Sequence, residues 1–233
     1  MSYYPAMLDL RGKKVLFVGG GWETEHKVRG LLEAGAKLTL ISPFEHPELE
    51  EATSTGRIIW LRRGFLPGDV EGYAVVVSHP VNRFVNQMVA KECRERGAWL
   101  NAVDDPQFCD FILPSVHRQG DLTISISTGG AAPALGVRIK QRLAEEYGPE
   151  YAEYLRLLRL FRPIVAQTYP DDFEARKAAW YRMVDSAALE LIRIGEPEAA
   201  RQILSDALHN VGDPVGTQGL ASLQSPQINE VVR

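Results

Sequence analysis

The N-terminal part of the chain alternates between short apolar runs and stretches whose apolar positions have helical spacing. The runs have the length and the Val and Ile content of strands that are buried on both faces of a sheet. One helical stretch stops at Gly35, and another covers residues 82–96. This alternation predicts an α/β fold with a Rossmann-like doubly wound parallel sheet. The predicted strands are 14–18, 37–42, 57–63, 74–78 and 98–103.

The same spacing predicts which side of each helix is buried. In the first helix the apolar side carries Val28, Leu31 and Leu32. In the helix at 82–96 the predicted apolar side consists of Phe84, Val85, Met88, Val89 and Cys93.

A different pattern starts near residue 110. The segments FILPSVH and LTISIST flank RQGD, which predicts a β-hairpin. Pro133 then suits the first turn of a helix that continues to a break at Gly148-Pro149. This hairpin-plus-helix element is too small to bury its own apolar faces. Ile124 and Ile126 therefore need a partner surface, and we expect a second copy of the chain to supply it.

The pattern beyond the break is helical. We expect Pro163 to kink or end the first of these helices, because proline has no backbone N–H. Asp171 followed by Glu174 resembles a capping box, and two shorter helices fit residues 184–194 and 197–208. One face of the first helix is formed by Tyr154, Leu158, Phe161 and Val165.

These patterns divide the chain into four parts. We predict a nucleotide-binding domain at 1–112, a dimerisation and active-site element at 113–148, and a helical domain at 149–211. The last part, 212–233, is rich in Gly, Ser, Gln and Asn, and this composition predicts a mobile tail.

Composition narrows the classes of partner. The chain has 233 residues and a net charge of -4, and this argues against a general nucleic-acid or anionic-membrane surface. No apolar run is long enough to span a membrane, and we expect no signal peptide. Cys93 and Cys109 are the two cysteines and form no CxxC pair. A reducing compartment, the cytoplasm, is therefore expected.

The strongest single motif is Gly19-Gly20-Gly21, between the first strand and the first helix. Glycine lets the backbone turn sharply and approach a pyrophosphate, and the helix N-terminus favours negative charge. Thr24 occupies the third small position of the fingerprint, and Glu23 lies beside the position of the phosphate. No carboxylate follows the second strand, where Ser42-Pro43-Phe44 stands. A tight turn without a ligand is the alternative interpretation.

Two further segments carry candidate chemistry. The segment NAVDDP places Asp104 and Asp105 after the fifth strand, where adjacent carboxylates can act as acid and base groups or as metal ligands. An ordinary Asp-Asp-Pro turn is the alternative. The Thr128-Gly129-Gly130 loop opens a helix and can hold a carboxylate or phosphate, or can simply cap that helix. The histidines show no metal-ligand spacing.

Four segments in order resemble one family. They are YYPAMLDLRGKKVLFVGGG, HKVRGLLEAGA, NAVDDPQFCDFILPS and LTISISTGGAAPAL, within residues 3–145. They resemble the precorrin-2 dehydrogenase / sirohydrochlorin ferrochelatase family, which is the N-terminal module of siroheme synthase. The helical remainder fits the C-terminal domain of that family.

The resemblance implies an activity. Family members oxidise precorrin-2 to sirohydrochlorin with NAD+, and some also insert Fe2+ to give siroheme. They are homodimers joined through the hairpin element, with the active site between that element and the nucleotide domain.

The resemblance also implies roles for residues. Asp104 matches the family's catalytic carboxylate, which acts as general base and transiently holds the metal in chelation. The resemblance places NAD contacts at Trp22, Glu23, Pro43 and Phe44. With the glycine motif and the end of the fourth strand, the candidate cofactor-binding residues also include Gly19, Gly20, Gly21 and Ser78. The resemblance places Thr128 near the tetrapyrrole, and Asn101, Asp105, Gly129 and Gly130 are further candidate substrate-binding residues.

Two segments depart from the family pattern. Where the family has G-G-G-x-V-A-x-R-K, this chain has G-G-G-W-E-T-E-H-K. Where the fourth strand of the family ends in small residues, Thr and Asp, this chain has Ser78-His79-Pro80-Val81-Asn82. Both lie at the expected cofactor cleft. They leave two alternatives to a dehydrogenase: a chelatase without redox activity, and a non-enzymatic nucleotide-sensing module.

Overall fold

The structure is a computed structural model that describes residues 3–21 and 23–209. The chain divides after Leu113 into two compact units, which we describe separately. Trp22 and the predicted tail at 212–233 lie outside the described residues.

The first unit contains a five-stranded parallel sheet with the order β3-β2-β1-β4-β5. This order confirms the predicted Rossmann-like sheet. The first strand has the predicted bounds, and the other four are shorter than predicted by a residue or two at one or both ends. The strands are β1 Lys14–Val18, β2 Lys37–Ile41, β3 Ile58–Leu61, β4 Val75–Ser78 and β5 Trp99–Ala102. The helices of this unit are α1 Thr24–Glu33, α2 Glu50–Ser54 and α3 Phe84–Arg96.

The sheet is covered on both faces, as its continuous apolar strands require. Successive side chains of a strand point to opposite faces. Leu16 and Val18 pack into one apolar cluster with α3, and Val15 and Phe17 pack into another with α1. All four are at most 2% exposed. Burial on both faces fixes β1 at the centre of the sheet and holds rigid the loops that leave its ends.

The predicted apolar side of α3 was partly wrong. Phe84 and Met88 are 73% and 45% exposed, whereas Asn86 and Glu92 are buried. Both polar side chains are buried because they have hydrogen-bond partners. The Glu92 carboxylate accepts bonds from the amides of Gly68 and Val70, at 3.0–3.2 Å. Hydrophobic spacing alone could not show this.

The second unit begins with the predicted hairpin and helix, which are β6 Ser115–Gln119, β7 Leu122–Ile126 and α4 Pro133–Glu146. Glycines allow close packing within this element and against the helix that follows it. A Cβ on Gly136 of α4 would lie 3.3 Å from Ser115 Oγ of β6, and one on Gly120 would lie 2.9 Å from Ala152 Cβ. Within its described residues this element contributes no side chain to a buried apolar cluster.

The rest of the second unit consists of α5 Glu150–Thr168, α6 Phe173–Val184, α7 Ala188–Arg193 and α8 Pro197–His209. The predicted face of α5 is confirmed, since Tyr154, Leu158, Phe161 and Val165 are all buried in one cluster.

Helix α5 continues through Pro163, so the proline does not end it, and a kink there stays a prediction. The packing of Phe161 and Val165 on either side of the proline outweighs the lost backbone bond. The N-cap of α6 is Asp172 rather than Asp171, and its carboxylate accepts the amide of Ala175 at 2.9 Å. Over the part of the chain that is described, no helix is both long and apolar enough to cross a bilayer.

Candidate cofactor site at the carboxyl edge of the sheet

The central strands end together at one edge, and their backbone bonding continues one residue further. The amide of Gly19 donates to Ile41, that of His79 to Val18 and that of Val103 to Ser78, at 2.7–2.9 Å. The loops after β1, β4 and β5 therefore leave the sheet side by side. This brings the glycine turn, the His79 segment and Asp104 to the edge where parallel sheets bind ligands.

The glycine turn has no room for side chains. A Cβ on Gly19 would lie 2.8 Å from Thr24, one on Gly20 would lie 2.7 Å from Phe44, and one on Gly21 would lie 2.5 Å from the imidazole of His79. Gly20 also has a φ of +134°, which residues with side chains rarely adopt. The turn thus needs all three glycines, and a close backbone cradle of this kind fits the pyrophosphate of a dinucleotide.

The amide N–H groups of this turn are all engaged within the protein. Gly20 donates to the hydroxyl of Thr24 at 3.0 Å, and Gly21 donates to the carbonyl of His79 at 2.9 Å. The amide of Gly19 donates to Ile41. Thr24 is fully buried, so the third small position of the motif holds the turn together. The glycines provide close approach, but their N–H groups are not free for an anion.

Glu23 lies at the start of α1 in an ion pair with Lys27, at 2.8 Å. The hydrogen bond from Lys27 lowers the pKa of the Glu23 carboxyl, and Lys27 compensates its negative charge locally. Repulsion between the Glu23 carboxylate and a phosphate bound beside it is therefore reduced.

Pro43 and Phe44 follow β2 and are both exposed. The turn that carries them is held by Ser42, whose hydroxyl accepts the amide of Phe44 at 3.2 Å and bonds the Nε2 atom of His46 at 2.9 Å. The Phe44 ring, 47% exposed, lies against Gly20. Phe44 thus forms an apolar wall beside the glycine turn, on the side where the adenosine of a dinucleotide lies in this fold.

Ser78 and Asp105 are joined through Asn86. The fully buried hydroxyl of Ser78 donates to the Asn86 side-chain oxygen at 2.7 Å, and the Asn86 amide donates to Asp105 at 2.6 Å. Arg83 makes an ion pair with Asp105 at 3.3 Å. This chain of bonds fixes the loop after β5 against α3.

Asp104 differs from its neighbour Asp105. Its side chain is exposed, and its φ of +62° is the only positive value at a non-glycine position among the described residues. The peptide carbonyl of Asp104 accepts a bond from Arg83. Left-handed backbone costs an ordinary residue about 1 to 2 kcal/mol. Such strain is common at functional sites, and here it directs a carboxylate outward from a fixed loop.

Asn101 occupies a structural position. It is 6% exposed, and its amide donates to the carbonyl of Phe111 at 2.9 Å. This bond holds the segment that follows the Asp104 loop.

His79 has a special position that the sequence signalled only as a departure from the family pattern. It is 6% exposed, and its ring lies against Gly21. Burial is the main reason that its pKa is lowered, and Lys27 contributes in the same direction, while Asp104 and Glu23 oppose the shift. Among the described residues, His79 Nδ1 is the buried side-chain nitrogen or oxygen atom that has no hydrogen-bond partner.

The Thr128 loop belongs to the second unit. The hydroxyl of Thr128 accepts the amide of Ala132 at 3.2 Å, directly before α4. Gly129 and Gly130 have positive φ values of 62° and 85° and are exposed. The capping interpretation accounts for the Thr128 hydroxyl, and the exposed glycines leave the loop backbone accessible.

Sequence reasoning missed Arg83 and Asn86, which organise the Asp104-Asp105 loop. Asn86 is a polar residue among the apolar positions of a predicted helix, and this was the available signal. Across residues 3–21 and 23–209, no three His, Cys, Asp or Glu side chains converge in a way that could hold a metal ion.

Fold, glycine turn and sheet edge together define an NAD(P)-binding type of domain, and family comparisons agree. An NAD(P)-binding family model matches residues 6–115. The models for the central part of sirohaem biosynthesis proteins and for the sirohaem synthase dimerisation region match residues 119–146 and 150–208.

Individual proteins extend this similarity. The siroheme synthase of Thioalkalivibrio sulfidiphilus is 32% identical over 89% of this chain and 42% of its own length. Siroheme synthase 1 of Aeromonas salmonicida is 41% identical over 61% of this chain and 31% of its own length. The chain thus spans less than half of these relatives. A solved structure of SirC, a precorrin-2 dehydrogenase, superimposes with a TM-score of 0.70 at 25% identity, covering 88% of this chain and 100% of that chain.

The chain belongs to the precorrin-2 dehydrogenase / sirohydrochlorin ferrochelatase family, the family of the siroheme synthase N-terminal module. The resemblance found in the sequence is confirmed.

Proposed function

We propose that this protein is an NAD-dependent precorrin-2 dehydrogenase, which forms sirohydrochlorin in siroheme biosynthesis. The observation that carries the proposal is the position of Asp104. Its exposed carboxylate lies at the same sheet edge as the glycine turn, on a loop whose backbone is held in a left-handed conformation. The family membership and the similarity to SirC support the same activity.

The dehydrogenation removes a hydride and a proton from precorrin-2. NAD+, when bound, accepts the hydride. The protein must hold the substrate carbon near the nicotinamide and accept the proton. Asp104 is the proposed proton acceptor, since it is an exposed carboxylate fixed by its loop. Arg83 is the proposed positioning residue, because it holds the peptide carbonyl of Asp104 and pairs with the Asp105 side chain.

Insertion of Fe2+ into sirohydrochlorin is the second candidate activity. This reaction releases two pyrrole protons as the metal enters the macrocycle. The Asp104 carboxylate makes no ion pair with any residue of 3–21 or 23–209, so it is available as a hard oxygen ligand. We propose that Asp104 holds the substrate metal transiently and accepts protons in this step.

The substrate carries several carboxylates, and the Thr128-Gly129-Gly130 loop is proposed to bind one of them. Its support is the exposure of the two glycines and their position before α4. Asn101 and Asp105 are proposed to act indirectly, because both side chains already have partners within the first unit.

A homodimer is the proposed assembly. The hairpin-plus-helix element exposes apolar side chains and has no buried cluster of its own. The model for the dimerisation region matches residues 150–208, where Phe173, Tyr181 and Val184 of α6 are each more than half exposed. Both segments are proposed to contribute to the dimer. The cytoplasm is the proposed compartment, and the free thiols of Cys93 and Cys109 support it.

The test is anaerobic turnover of precorrin-2 with NAD+, followed by absorbance. Wild type should form sirohydrochlorin in an NAD-dependent reaction. Asp104→Ala should lower the rate by about 10²- to 10⁴-fold, as expected for loss of a general base. Gln107→Ala is the matched control, because Gln107 is an exposed residue of the same loop and should leave the rate unchanged.

The two alternatives give different results. If wild type forms no sirohydrochlorin but converts added sirohydrochlorin and Fe2+ to siroheme, the protein is a chelatase without redox activity. If both assays are silent while NAD(H) binds tightly, and binding is the same in Asp104→Ala, the protein is a nucleotide-sensing module.

A further inference from the structure

The buried histidines of the described residues differ in one respect. His46, His79 and His117 are all 5–6% exposed. His46 bonds the Ser42 hydroxyl at 2.9 Å, and His117 bonds the carbonyl of Tyr147 at 2.7 Å. The Nδ1 atom of His79 has no partner. A buried polar atom without a partner is destabilising, and in native proteins it calls for a specific explanation.

The position of His79 suggests that explanation. A Cβ on Gly21 would meet the Cε1, Nδ1 and Nε2 atoms of the imidazole at 2.5–2.7 Å. The polar edge of the ring is therefore covered by a residue without a side chain, in the middle of the glycine turn. The imidazole therefore lies directly against the turn that a pyrophosphate approaches in this fold.

The three glycine amides of this turn offer no free donor to an anion. The amides of Gly19, Gly20 and Gly21 donate to Ile41, Thr24 and His79 respectively. The ammonium group of Lys27 is paired with Glu23. Of the groups compared here, the three glycine amides, Lys27 and His79, the imidazole has unused hydrogen-bonding capacity.

We propose that His79 is a cofactor-binding residue, which donates a hydrogen bond from its imidazole to the pyrophosphate of the dinucleotide when the glycine turn shifts on binding. The inference rests on the proposed binding of NAD. It assigns to a side chain after β4 the role that free glycine amides have in other dinucleotide-binding turns.

Binding measurements on the full chain test this role without turnover. Calorimetry with NAD+, ADP and adenosine separates the contribution of the pyrophosphate to binding from that of the nucleoside. His79→Leu should weaken the binding of NAD+ and of ADP by about tenfold or more, which is the usual range for the loss of a hydrogen bond to a charged group. Adenosine, which has no pyrophosphate, should bind to wild type and to His79→Leu with equal affinity. His79→Asn should retain most of the affinity, because its amide can replace the Nδ1 donor.

His26→Leu is the matched control, since His26 is an exposed histidine near the start of α1. It should bind ADP as wild type does. A second readout needs no substitution: in protein with nitrogen-15-labelled histidine, the His79 Nδ1 resonance should shift with ADP and stay unchanged with adenosine.

The outcomes separate this inference from the proposed function. Equal ADP affinity in wild type and His79→Leu would overturn the role of His79 and leave the dehydrogenase proposal intact. An unchanged His79 resonance in a protein that binds ADP would do the same. Failure of wild type to bind either NAD+ or ADP would overturn both.

Discussion

The sheet of the first unit and the hairpin-plus-helix element of the second unit satisfy their apolar residues in different ways. Strand β1 is buried on both faces by two clusters, and Phe17 and Leu40 are fully buried. In the element from β6 to α4, Leu135 and Val137 are 53% and 43% exposed. The sheet buries its apolar residues within its own unit, whereas this element leaves apolar side chains exposed.

The difference explains where strain is tolerated. The left-handed backbone at Asp104 and the unpartnered Nδ1 of His79 both lie at the edge of the fully packed sheet. Each costs stability, and the buried core of the unit offsets that cost. A weakly packed element could not hold such features in place.

The largest expected effect is on the stability of the sheet. Leu40→Ala should lower the free energy of unfolding by about 2 to 5 kcal/mol, because it removes a fully buried side chain and leaves a cavity. Leu135→Ala should change it by only about 0.5 kcal/mol at a concentration that keeps the chain monomeric. Urea unfolding monitored by circular dichroism measures both.

The exposed position Leu135 also tests association of the chain. Leu135→Asp should shift the dimer towards monomer in sedimentation velocity, since it places a charge on the exposed apolar face of α4. A wild type that is monomeric at micromolar concentration, or a Leu135→Asp variant that dimerises as well as wild type, would contradict the proposed role of this element.

A smaller effect concerns the contact between Gly21 and His79. Gly21→Ala should destabilise the protein by about 1 to 3 kcal/mol, because the new methyl group overlaps the imidazole. In the His79→Ala background the cost of Gly21→Ala should be much smaller, since the ring is gone. Thermal unfolding of the four proteins gives the coupling energy, and additive effects would show that the two residues are not in contact.

Relief of backbone strain should have a smaller effect still, of opposite sign. Asp104→Gly should raise stability by about 0.5 to 1 kcal/mol, because glycine adopts positive φ without a Cβ penalty. The same variant should be inactive, whereas Asp104→Ala should be inactive without the stability gain. Denaturant unfolding alongside the turnover assay distinguishes them.

The smallest expected effect is on the pH dependence of stability. The pKa of His79 is lowered in the folded protein from an ordinary value of 6.5, mainly by burial. The unfolded chain therefore binds the proton more readily, and the stability contribution that is present above pH 6.5 is lost as the pH falls below it. Lys27 favours this loss, and Asp104 and Glu23 oppose it. His79→Asn should flatten the decline of melting temperature between about pH 6.5 and 5; an unchanged slope would contradict the shift.

The strands, the glycine turn, the family and the carboxylate after β5 could all be found from sequence pattern. Runs such as KVLFV can be buried in few ways, and the three glycines before a helix have few structural uses. These features depend on neighbours within a few residues, so local pattern is sufficient to find them. The boundaries predicted at 112, 148 and 211 remain predictions of this kind.

The folded chain was needed to show which polar residues hold the fold together and which are free to bind a ligand. Asn86 joins Ser78 to Asp105 across separate elements, and the imidazole of His79 meets Gly21 although the two residues are far apart in sequence. Hydrogen-bond partners in a sheet protein come from loops that are brought together at strand ends. Hydrophobic periodicity carries no information about such pairs. For this reason the sequence could not show that the glycine N–H groups already have acceptors within the protein.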